Sequence, residues 1–289
     1  MPAAVIGSAK PELRNDRAAE AYIDLLKRCL TASIYDESAW EVIEPYPPGP
    51  VRRSVTGPLR RIVIRTLAKR RLLLVRANPY DAAKRAKGDD FPWFAFTLIG
   101  EARLDNLEAC IRDVLAHGVP GDFIETGVWR GGTVIFMHAM LRVLGVTDRL
   151  VWAADSFGGS REETGVSGGW SYSHTESLRV SLEQVMANFE RFGLLDDRVR
   201  FLKGCLCNTL PKAPIEKLAL LRLDGDLYHS TMDALTNLYG KVSKGGYVIV
   251  DDYLGWPACR KAVHDFLGSR GLRPEIRKID HQGAYWRVE

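Results

Sequence analysis

Two stretches decide the fold class of this chain: Leu218-Ala-Leu-Leu-Arg-Leu-Asp-Gly-Asp-Leu-Tyr228 and Gly246-Tyr-Val-Ile-Val-Asp-Asp252. Each begins with a short, nearly continuous apolar run, which is typical of a strand buried on both faces of a parallel sheet. A helical segment, Ser230–Val242, separates them and completes a strand–helix–strand unit. The carboxyl ends of both predicted strands therefore meet at one edge of the sheet, where open parallel sheets bind ligands.

Four aspartates stand at that edge: Asp224 and Asp226 follow the first strand, and Asp251 and Asp252 follow the second. Carboxylates held this close repel one another unless a cation binds between them, and hard oxygen ligands suit Mg²⁺ better than Zn²⁺. The alternative for any single aspartate is a helix cap or a turn residue. Because both clusters follow such strands, the sequence favours a metal site.

The chain from Gly118 onward alternates strands with helices. Besides the two runs above, strands are predicted over Gly121–Glu125, Leu150–Ala154 and Val199–Lys203, helices over Thr133–Leu144, Leu178–Phe192 and Cys259–Arg270, and a terminal hairpin over Arg273–Ile279 and Ala284–Val288. Residues Gly158–Ser177 are rich in Gly and Ser, and we expect a mobile loop there. This pattern predicts an α/β fold: a mostly parallel, seven-stranded sheet with helices on both faces and an antiparallel hairpin at its end.

The first ninety residues are different in character. A helix is expected over Ala18–Leu30 and a linker over Glu44–Pro50, and the segment Arg52–Lys87 carries a charge of +11 in a chain of net charge +4. Pro58 could open a helix through Ala77, either a decorating helix with a basic face or an interfacial helix at an anionic membrane surface. We expect residues 1–90 to form a helical extension with a basic insertion, and residues 91–289 to form the α/β domain.

Composition excludes several classes of protein. The chain has 289 residues, 46% of them apolar, which suits one large α/β domain. No apolar run reaches the roughly 20 residues of a membrane span, and no aromatic residues interleave with the basic segment as nucleic-acid stacking would require. The five cysteines, including Cys205 and Cys207, have no zinc or disulfide spacing, so we expect reduced thiols in a cytoplasmic protein.

A glycine-rich turn, Glu125-Thr-Gly-Val-Trp-Arg-Gly-Gly132, follows the first predicted strand of the α/β domain and opens a helix. Its glycines let the backbone come close to a ligand. A diphosphate is disfavoured because Glu125 would repel it, whereas the sulfonium and ammonium groups of S-adenosylmethionine would be attracted. Asp155, thirty residues later at the end of the next strand, suits the two hydroxyl groups of a ribose.

The chain resembles the macrocin O-methyltransferase family, whose members methylate sugar hydroxyls of antibiotics. The stretches that resemble the family cover nearly the whole chain apart from roughly residues 44–87: Tyr22–Thr31, Arg103–Leu107, Gly121–Gly132, Ala154–Gly158, Asn188–Leu195, Leu221–Tyr228 and Gly245–Tyr253. The departures are His229, where an acid is expected, and Cys205, Leu206 and Asn208, which replace residues that are commonly aromatic and acidic.

This resemblance implies a class I methyltransferase fold over residues 91–289, with S-adenosylmethionine and Mg²⁺ as cofactors. It implies a glycosylated small-molecule acceptor, no nucleic-acid partner, and at least a homodimer. The residues implied for the cofactor are Thr97, Leu98, Glu125, Thr126, Gly127, Val128, Trp129, Gly131, Thr133, Asp155, Ser156, Gly204 and Asp224. Asp224, Asp251 and Asp252 are implied as metal ligands, and Asp226, beside Asp224, as the general base.

The reaction expected from these residues is a direct displacement, in which the metal lowers the pKa of a sugar hydroxyl and Asp226 accepts its proton. His174 and His229 are alternative bases. Two other functions stay open: a catechol-type methyltransferase acting on a phenol or small diol, and a binding protein that keeps the fold without turnover.

Overall fold

The computed structural model describes residues 17–35, 39–42, 62–64, 66–67, 70, 72, 74–158 and 179–289. The strands are β1 (Ala39–Val42), β2 (Val75–Asn78), β3 (Asp122–Thr126), β4 (Val151–Asp155), β5 (Val199–Lys203), β6 (Leu218–Leu223), β7 (Val242–Val250), β8 (Arg277–Lys278) and β9 (Ala284–Arg287). The α-helices are α1 (Arg17–Leu30), α2 (Ala82–Lys87), α3 (Glu101–Ala116), α4 (Gly132–Val143), α5 (Leu182–Arg191), α6 (Leu206–Thr209), α7 (Tyr228–Leu238) and α8 (Pro257–Ser269).

A seven-stranded sheet forms the centre of the molecule, in the order β5-β4-β3-β6-β7-β9-β8. Strands β3 to β7 are parallel to one another, and β9 pairs antiparallel with both β7 and β8. The predicted mostly parallel sheet with a terminal hairpin is thus confirmed. The chain leaves β3 toward β4 on one side and returns as β6 on the other, so the strand order reverses between β3 and β6. In open α/β sheets this is where ligands bind.

Alternate residues along each strand point to opposite sides of the sheet, and helices cover both sides. On one face Phe123 packs with helices α1, α3, α4 and α5 in a single apolar cluster. On the other face Ile124 and Leu221 pack with α7 and α8. All six residues of β6 are buried, as expected for a strand covered on both faces.

Helix α1 belongs to the same core as the sheet. Its Ile23, Leu26 and Leu30 are buried in the cluster that contains Phe123. The carbonyl oxygen of Leu30 accepts hydrogen bonds from the backbone N–H groups of Phe96 and Thr97, at 2.8 and 3.2 Å. The N-terminal helix therefore supports the segment that leads into α3.

Part of the basic segment folds differently from the prediction. Residues 62–64 and 66–67 are helical, but residues 75–77, expected at the end of the same helix, lie in β2. There they pair antiparallel with β1, a partner more than thirty residues away. Local apolar spacing does not reveal such a partner, which is why the helix prediction was wrong at this point. Likewise Val242, expected at the end of a helix, is the first residue of β7.

The prediction of five reduced thiols was wrong for two cysteines. Cys205 and Cys207 are paired as a disulfide at the start of α6, whereas Cys29, Cys110 and Cys259 are free. The bend of the chain brings the Cα atoms of the pair to 5.3 Å, within the range of disulfides. No helix in the described ranges is long and apolar enough to cross a membrane. The predicted linker at 44–50, the loop from 159 onward and His174 lie outside the described residues.

Candidate active site

A cavity of about 370 Å³ opens at the carboxyl edge of the sheet, beside the tips of β3, β4, β6 and β7. Most of the residues proposed from the sequence line it: Thr97, Leu98, Gly127, Val128, Trp129, Thr133, Asp155, Asp224, Asp226, Asp251 and Asp252. Five others that were expected at the cofactor lie outside this lining: Glu125, Thr126, Gly131, Ser156 and Gly204. The structure thus gathers residues from 97 to 252 around one space.

The turn after β3 approaches the turn after β6 so closely that only glycine fits. Gly127 has a positive φ of 85°, and a Cβ there would lie 1.8 Å from the carbonyl oxygen of Asp224. The backbone N–H of Asp224 donates to the carbonyl oxygen of Thr126 at 2.8 Å, which ties the two turns together. Backbone groups of the β3 turn are therefore exposed to the cavity beside the aspartates.

Asp155 is held by the same turn. Its Oδ2 accepts the N–H of Val128 at 2.6 Å, and its Oδ1 accepts the N–H of Phe157 at 2.8 Å. The carboxylate stands at the end of β4 and lines the cavity. Ser156 Oγ also donates to Oδ1, at 3.3 Å. A ligand hydroxyl can therefore use the second lone pair of Oδ2 directly, and that of Oδ1 by replacing the Ser156 hydroxyl.

Glu125 is completely buried and already has partners. Its carboxylate accepts hydrogen bonds from Arg222 Nη1 and from Thr133 Oγ1. Burial raises the pKa of Glu125, and Arg222 opposes this effect. The side chain of Glu125 is buried outside the cavity lining, so it does not contact a ligand in the cavity directly.

Asp224, Asp251 and Asp252 form the candidate metal centre, because one oxygen of each lies within 4.8 Å of the others. Burial, together with the negative charges of the neighbouring Asp224 and Asp251, raises the pKa of Asp252 to about 10. Burial likewise raises the pKa of Asp224, against the opposing effect of Arg222. Asp252 Oδ2 is buried without a hydrogen-bond partner among the residues that the structure describes.

These observations fit a divalent cation. The oxygens are hard ligands that lie within 4.8 Å of one another, and the raised pKa values of Asp224 and Asp252 reflect burial of carboxylates beside other carboxylates. Mg²⁺ usually binds through a few carboxylates and keeps other positions for water or substrate. The donor set therefore suits Mg²⁺ with positions left for an acceptor.

Asp226 lies in the same cavity and contacts the metal centre. Its hydrogen bond with Asp252 and its negative charge contribute to the raised pKa of that residue. His229, the alternative base, is exposed at the start of α7 and lies outside the cavity lining. Asp226 is thus better placed than His229 to receive a proton from a molecule in the cavity.

Two arginines at the site were missed in the sequence. Arg222 is completely buried, and Arg103 lies on the wall of the cavity at the start of α3. A charged residue inside the apolar run of β6 was the available signal, since a buried guanidinium requires anionic partners. The register of β3 and β6, which places Glu125 directly opposite Arg222, identifies one of these partners only in the structure.

Comparisons with known proteins agree with this geometry. A family model described as macrocin-O-methyltransferase matches residues 19–288. The chain is 46% identical over 275 residues to the 8-demethyl-8-(2,3-dimethoxy-alpha-L-rhamnosyl)-tetracenomycin-C 4'-O-methyltransferase of Streptomyces olivaceus. This alignment covers 93% of this chain and 93% of the relative. It is 42% identical to the mycinamicin III 3''-O-methyltransferase of Micromonospora griseorubida, over 93% of this chain and 96% of the relative.

A solved structure is also similar. The O-methyltransferase NovP aligns with a TM-score of 0.75 and 40% identity over 93% of this chain and 99% of its own. The calicheamicin methyltransferase CalS11 shares the fold, with a TM-score of 0.53 at 22% identity over 84% of this chain and 98% of its own.

Proposed function

This chain belongs to the macrocin O-methyltransferase family, and we propose that it methylates a hydroxyl group on a sugar of a glycosylated natural product. As a member of the family it is an O-methyltransferase that takes its methyl group from S-adenosylmethionine. The sugar acceptor, the dependence on Mg²⁺ and the roles of individual residues are the proposed parts. The observation that supports them is the convergence of Asp224, Asp251 and Asp252 beside the β3 turn in one cavity.

The cofactor would lie against the turn after β3 and the end of β4. Gly127 and Val128 would present backbone to it, Asp155 would accept hydrogen bonds from its ribose hydroxyls, and Thr97 and Leu98 would cover it from the N-terminal side. S-adenosylmethionine supplies an electrophilic methyl group on a sulfonium. Holding that group close to the acceptor makes the transfer effectively unimolecular, which accounts for much of the rate gain.

Mg²⁺ would be held by Asp224, Asp251 and Asp252. When bound, it supplies Lewis acidity that lowers the pKa of an acceptor hydroxyl, and it fixes the position of that hydroxyl. Asp224 is held beside the cofactor turn because its backbone N–H donates to the carbonyl oxygen of Thr126.

Asp226 would accept the proton of the acceptor hydroxyl as the methyl group is transferred. A general base has to lie within hydrogen-bond reach of the proton it removes, and Asp226 lines the cavity next to the metal centre. Its neighbour Asp252 is close enough to share a hydrogen bond with it, so the proton is received beside the site where the hydroxyl is activated.

The proposed acceptor class is supported by two relatives, which are named as methyltransferases of a rhamnosyl-tetracenomycin and of mycinamicin III. A panel of such glycosylated compounds lacking the methyl group, together with simple catechols, should be tested with radiolabelled S-adenosylmethionine. We expect label in a sugar of one glycosylated compound, loss of transfer in EDTA and recovery with Mg²⁺. Transfer to catechols alone would contradict the sugar acceptor, and transfer unaffected by EDTA would contradict the metal.

A further inference from the structure

Asp251 is the most tightly held carboxylate of the candidate metal centre. It is 4% exposed, and each of its oxygens accepts a hydrogen bond from a different guanidinium. Oδ1 accepts from Arg222 Nη2 at 2.5 Å, and Oδ2 accepts from Arg103 Nη1. A carboxylate oxygen has two lone pairs, so each oxygen keeps one for a further ligand.

Arg222 connects three strand ends. Besides Asp251 after β7, its Nη1 contacts Glu125 at the end of β3 and Asp224 Oδ2 after β6, the latter at 2.7 Å. A guanidinium buried this completely is stable only when its donors are paired with anions. The relative positions of Asp224 and Asp251 are therefore linked through one rigid, planar group.

Arg103 reaches Asp251 from the opposite direction. It lies in the first turn of α3, and its Nε lies 3.0 Å from Asp280 Oδ2 in the turn of the terminal hairpin. Asp280 is itself fixed, because its Oδ1 accepts the N–H groups of Gln282 and Gly283 at 2.8 and 2.7 Å. Arg103 thus joins a well-anchored turn to Asp251 across 148 residues of sequence.

We propose that Arg103 and Arg222 form a two-arginine clamp, whose function is to orient Asp251 as a metal ligand. The two guanidinium groups hold the carboxylate so that it stays within 4.8 Å of ligand oxygens of Asp224 and Asp252. Hydrogen-bond partners of ligating carboxylates typically change metal affinity by about 10–100-fold when they are removed. This inference rests on the proposed function and adds two positioning residues to it.

The direction in which metal affinity changes when Arg103 is removed distinguishes the clamp from a simple electrostatic effect. A positive charge beside the centre repels a divalent cation, so removing Arg103 on charge grounds alone would tighten metal binding. If the arginine orients Asp251, its removal weakens metal binding although a repelling charge has gone. The two roles therefore predict changes in opposite directions.

The test is a titration of the full-length protein with Mn²⁺ alone, followed by the EPR signal of the free ion. The variants are Arg103→Gln, Arg103→Lys and, as a matched control, Arg149→Gln. Arg149 is also buried, but it donates to the backbone carbonyl groups of Val119 and Gly121, outside the cavity lining. Circular dichroism melting checks that each variant folds, and calorimetry with S-adenosylhomocysteine measures cofactor affinity.

We expect Arg103→Gln to weaken Mn²⁺ binding by about 10–100-fold while cofactor affinity stays within about twofold of the wild type. Arg103→Lys should recover part of the loss, because an ammonium keeps the charge without the two-armed geometry. Arg149→Gln should bind Mn²⁺ normally. If Arg103→Gln does not fold, the test uses Arg103→Lys, which should also bind Mn²⁺ more weakly than the wild type with cofactor affinity retained.

Unchanged or tighter Mn²⁺ binding in a folded Arg103 variant would overturn the clamp and leave the metal site in place. Absence of Mn²⁺ binding in the wild type would overturn the proposed metal centre itself, and the clamp with it. The two failures are distinguished by the wild-type titration.

Discussion

At the scale of single residues, Gly127 occupies a position with no space for a side chain. The carboxylates beside it differ in burial and in their hydrogen-bond partners. Gly127 is in contact with the backbone of Asp224, and a methyl group could not be accommodated there. Asp252 is buried, and its Oδ2 has no hydrogen-bond partner within the described part of the chain, whereas Asp226 lines the cavity beside it. These differences assign a distinct role, and a distinct test, to each residue.

Asp226→Asn tests the base. The amide keeps the size of the side chain but cannot accept the proton, so we expect turnover to fall by about 10²–10⁴-fold while Mg²⁺ and cofactor binding are retained. Asp224→Asn should instead lose metal affinity, and His229→Gln should remain active. Single-turnover rates and Mg²⁺ titrations of the three variants make the comparison. If His229→Gln is the inactive variant, the proton goes to the histidine and the assignment of Asp226 is wrong.

Gly127→Ala tests the close contact of the two turns. Gly145→Ala is a matched control, since Gly145 also has a positive φ but a Cβ there would meet nothing within 4 Å. The control should lose only the roughly 1–2 kcal/mol of the left-handed backbone. Gly127→Ala should lose clearly more stability in urea titrations, and cofactor binding as well, because the turn has to move away from Asp224. Equal losses of stability in the two variants would show that the close approach of Gly127 to Asp224 does not limit the side chain at position 127.

The raised pKa of Asp252, about 10, gives the protein a pH-dependent stability. The folded state binds a proton that the unfolded chain releases near its ordinary pKa, so this contribution is complete below about pH 4 and is lost as the pH rises through about 10. In EDTA we therefore expect the melting temperature to fall between about pH 6 and pH 9. Mg²⁺ should reduce the slope because it replaces the proton. Asp252→Asn should also reduce the slope, and the buried Glu125, whose pKa is raised to about 8, should contribute part of what remains. An unaltered slope in that variant would exclude Asp252 as the cause.

At the scale of elements, the site depends on parts of the chain that are not at the strand tips. Helix α1 is buried against the sheet, and the carbonyl group of its last residue, Leu30, holds the backbone of Phe96 and Thr97. Thr97 lines the cavity, and Gly132 at the start of α4 donates its N–H to the carbonyl oxygen of Phe96 at 2.9 Å. The N-terminal helix, the 96–97 segment and the β3 turn therefore form one connected support.

Leu30→Ala tests this support. The side chain is completely buried, so its truncation should lower the free energy of unfolding by about 2–5 kcal/mol. We also expect weaker binding of S-adenosylhomocysteine, because loss of the buried side chain loosens the end of α1, whose backbone carbonyl group holds the 96–97 segment. Leu72→Ala, at a leucine that is 53% exposed, should change stability by less than about 0.5 kcal/mol. Normal cofactor affinity in a destabilised Leu30→Ala protein would show that α1 stabilises the fold without supporting the site.

At the scale of the whole molecule, the exposed large apolar side chains are found in the N-terminal region. All the large apolar side chains that are exposed among the described residues lie between Tyr22 and Phe94. Tyr22 and Leu25 stand on the outer side of α1, with 40% and 47% of their surface exposed. Tyr22 and Leu25 are three residues apart and therefore neighbours on the helix surface, and adjacent exposed apolar side chains are typical of an interaction surface.

We expect the protein to form at least a homodimer through this region. Light scattering at micromolar concentration should give at least twice the chain mass of 32.3 kDa. Tyr22→Glu combined with Leu25→Glu places charges in the contact and should shift the protein toward the monomer without loss of the fold. A monomer mass for the wild type would contradict the prediction.

The sequence by itself determined the sheet and the chemistry at its edge. Apolar runs of β6 and β7 report burial on both faces, because that is a local property of each strand. The aspartates that follow these runs, and the glycines after β3, had to meet at the carboxyl edge once the strands were parallel and neighbouring. This is why Asp224, Asp251, Asp252 and Gly127 could be placed together before any coordinates.

Only the tertiary structure decided which groups neutralise those carboxylates. Arg103 meets Asp251 across 148 residues, and Glu125 meets Arg222 through the register of two strands, neither of which leaves a local pattern. The same limit explains β2, whose pairing with β1 was mistaken for helix. Periodicity in a sequence reports whether a side chain is buried, but the partner of a buried charge or of an edge strand depends on contacts that form only when distant segments come together.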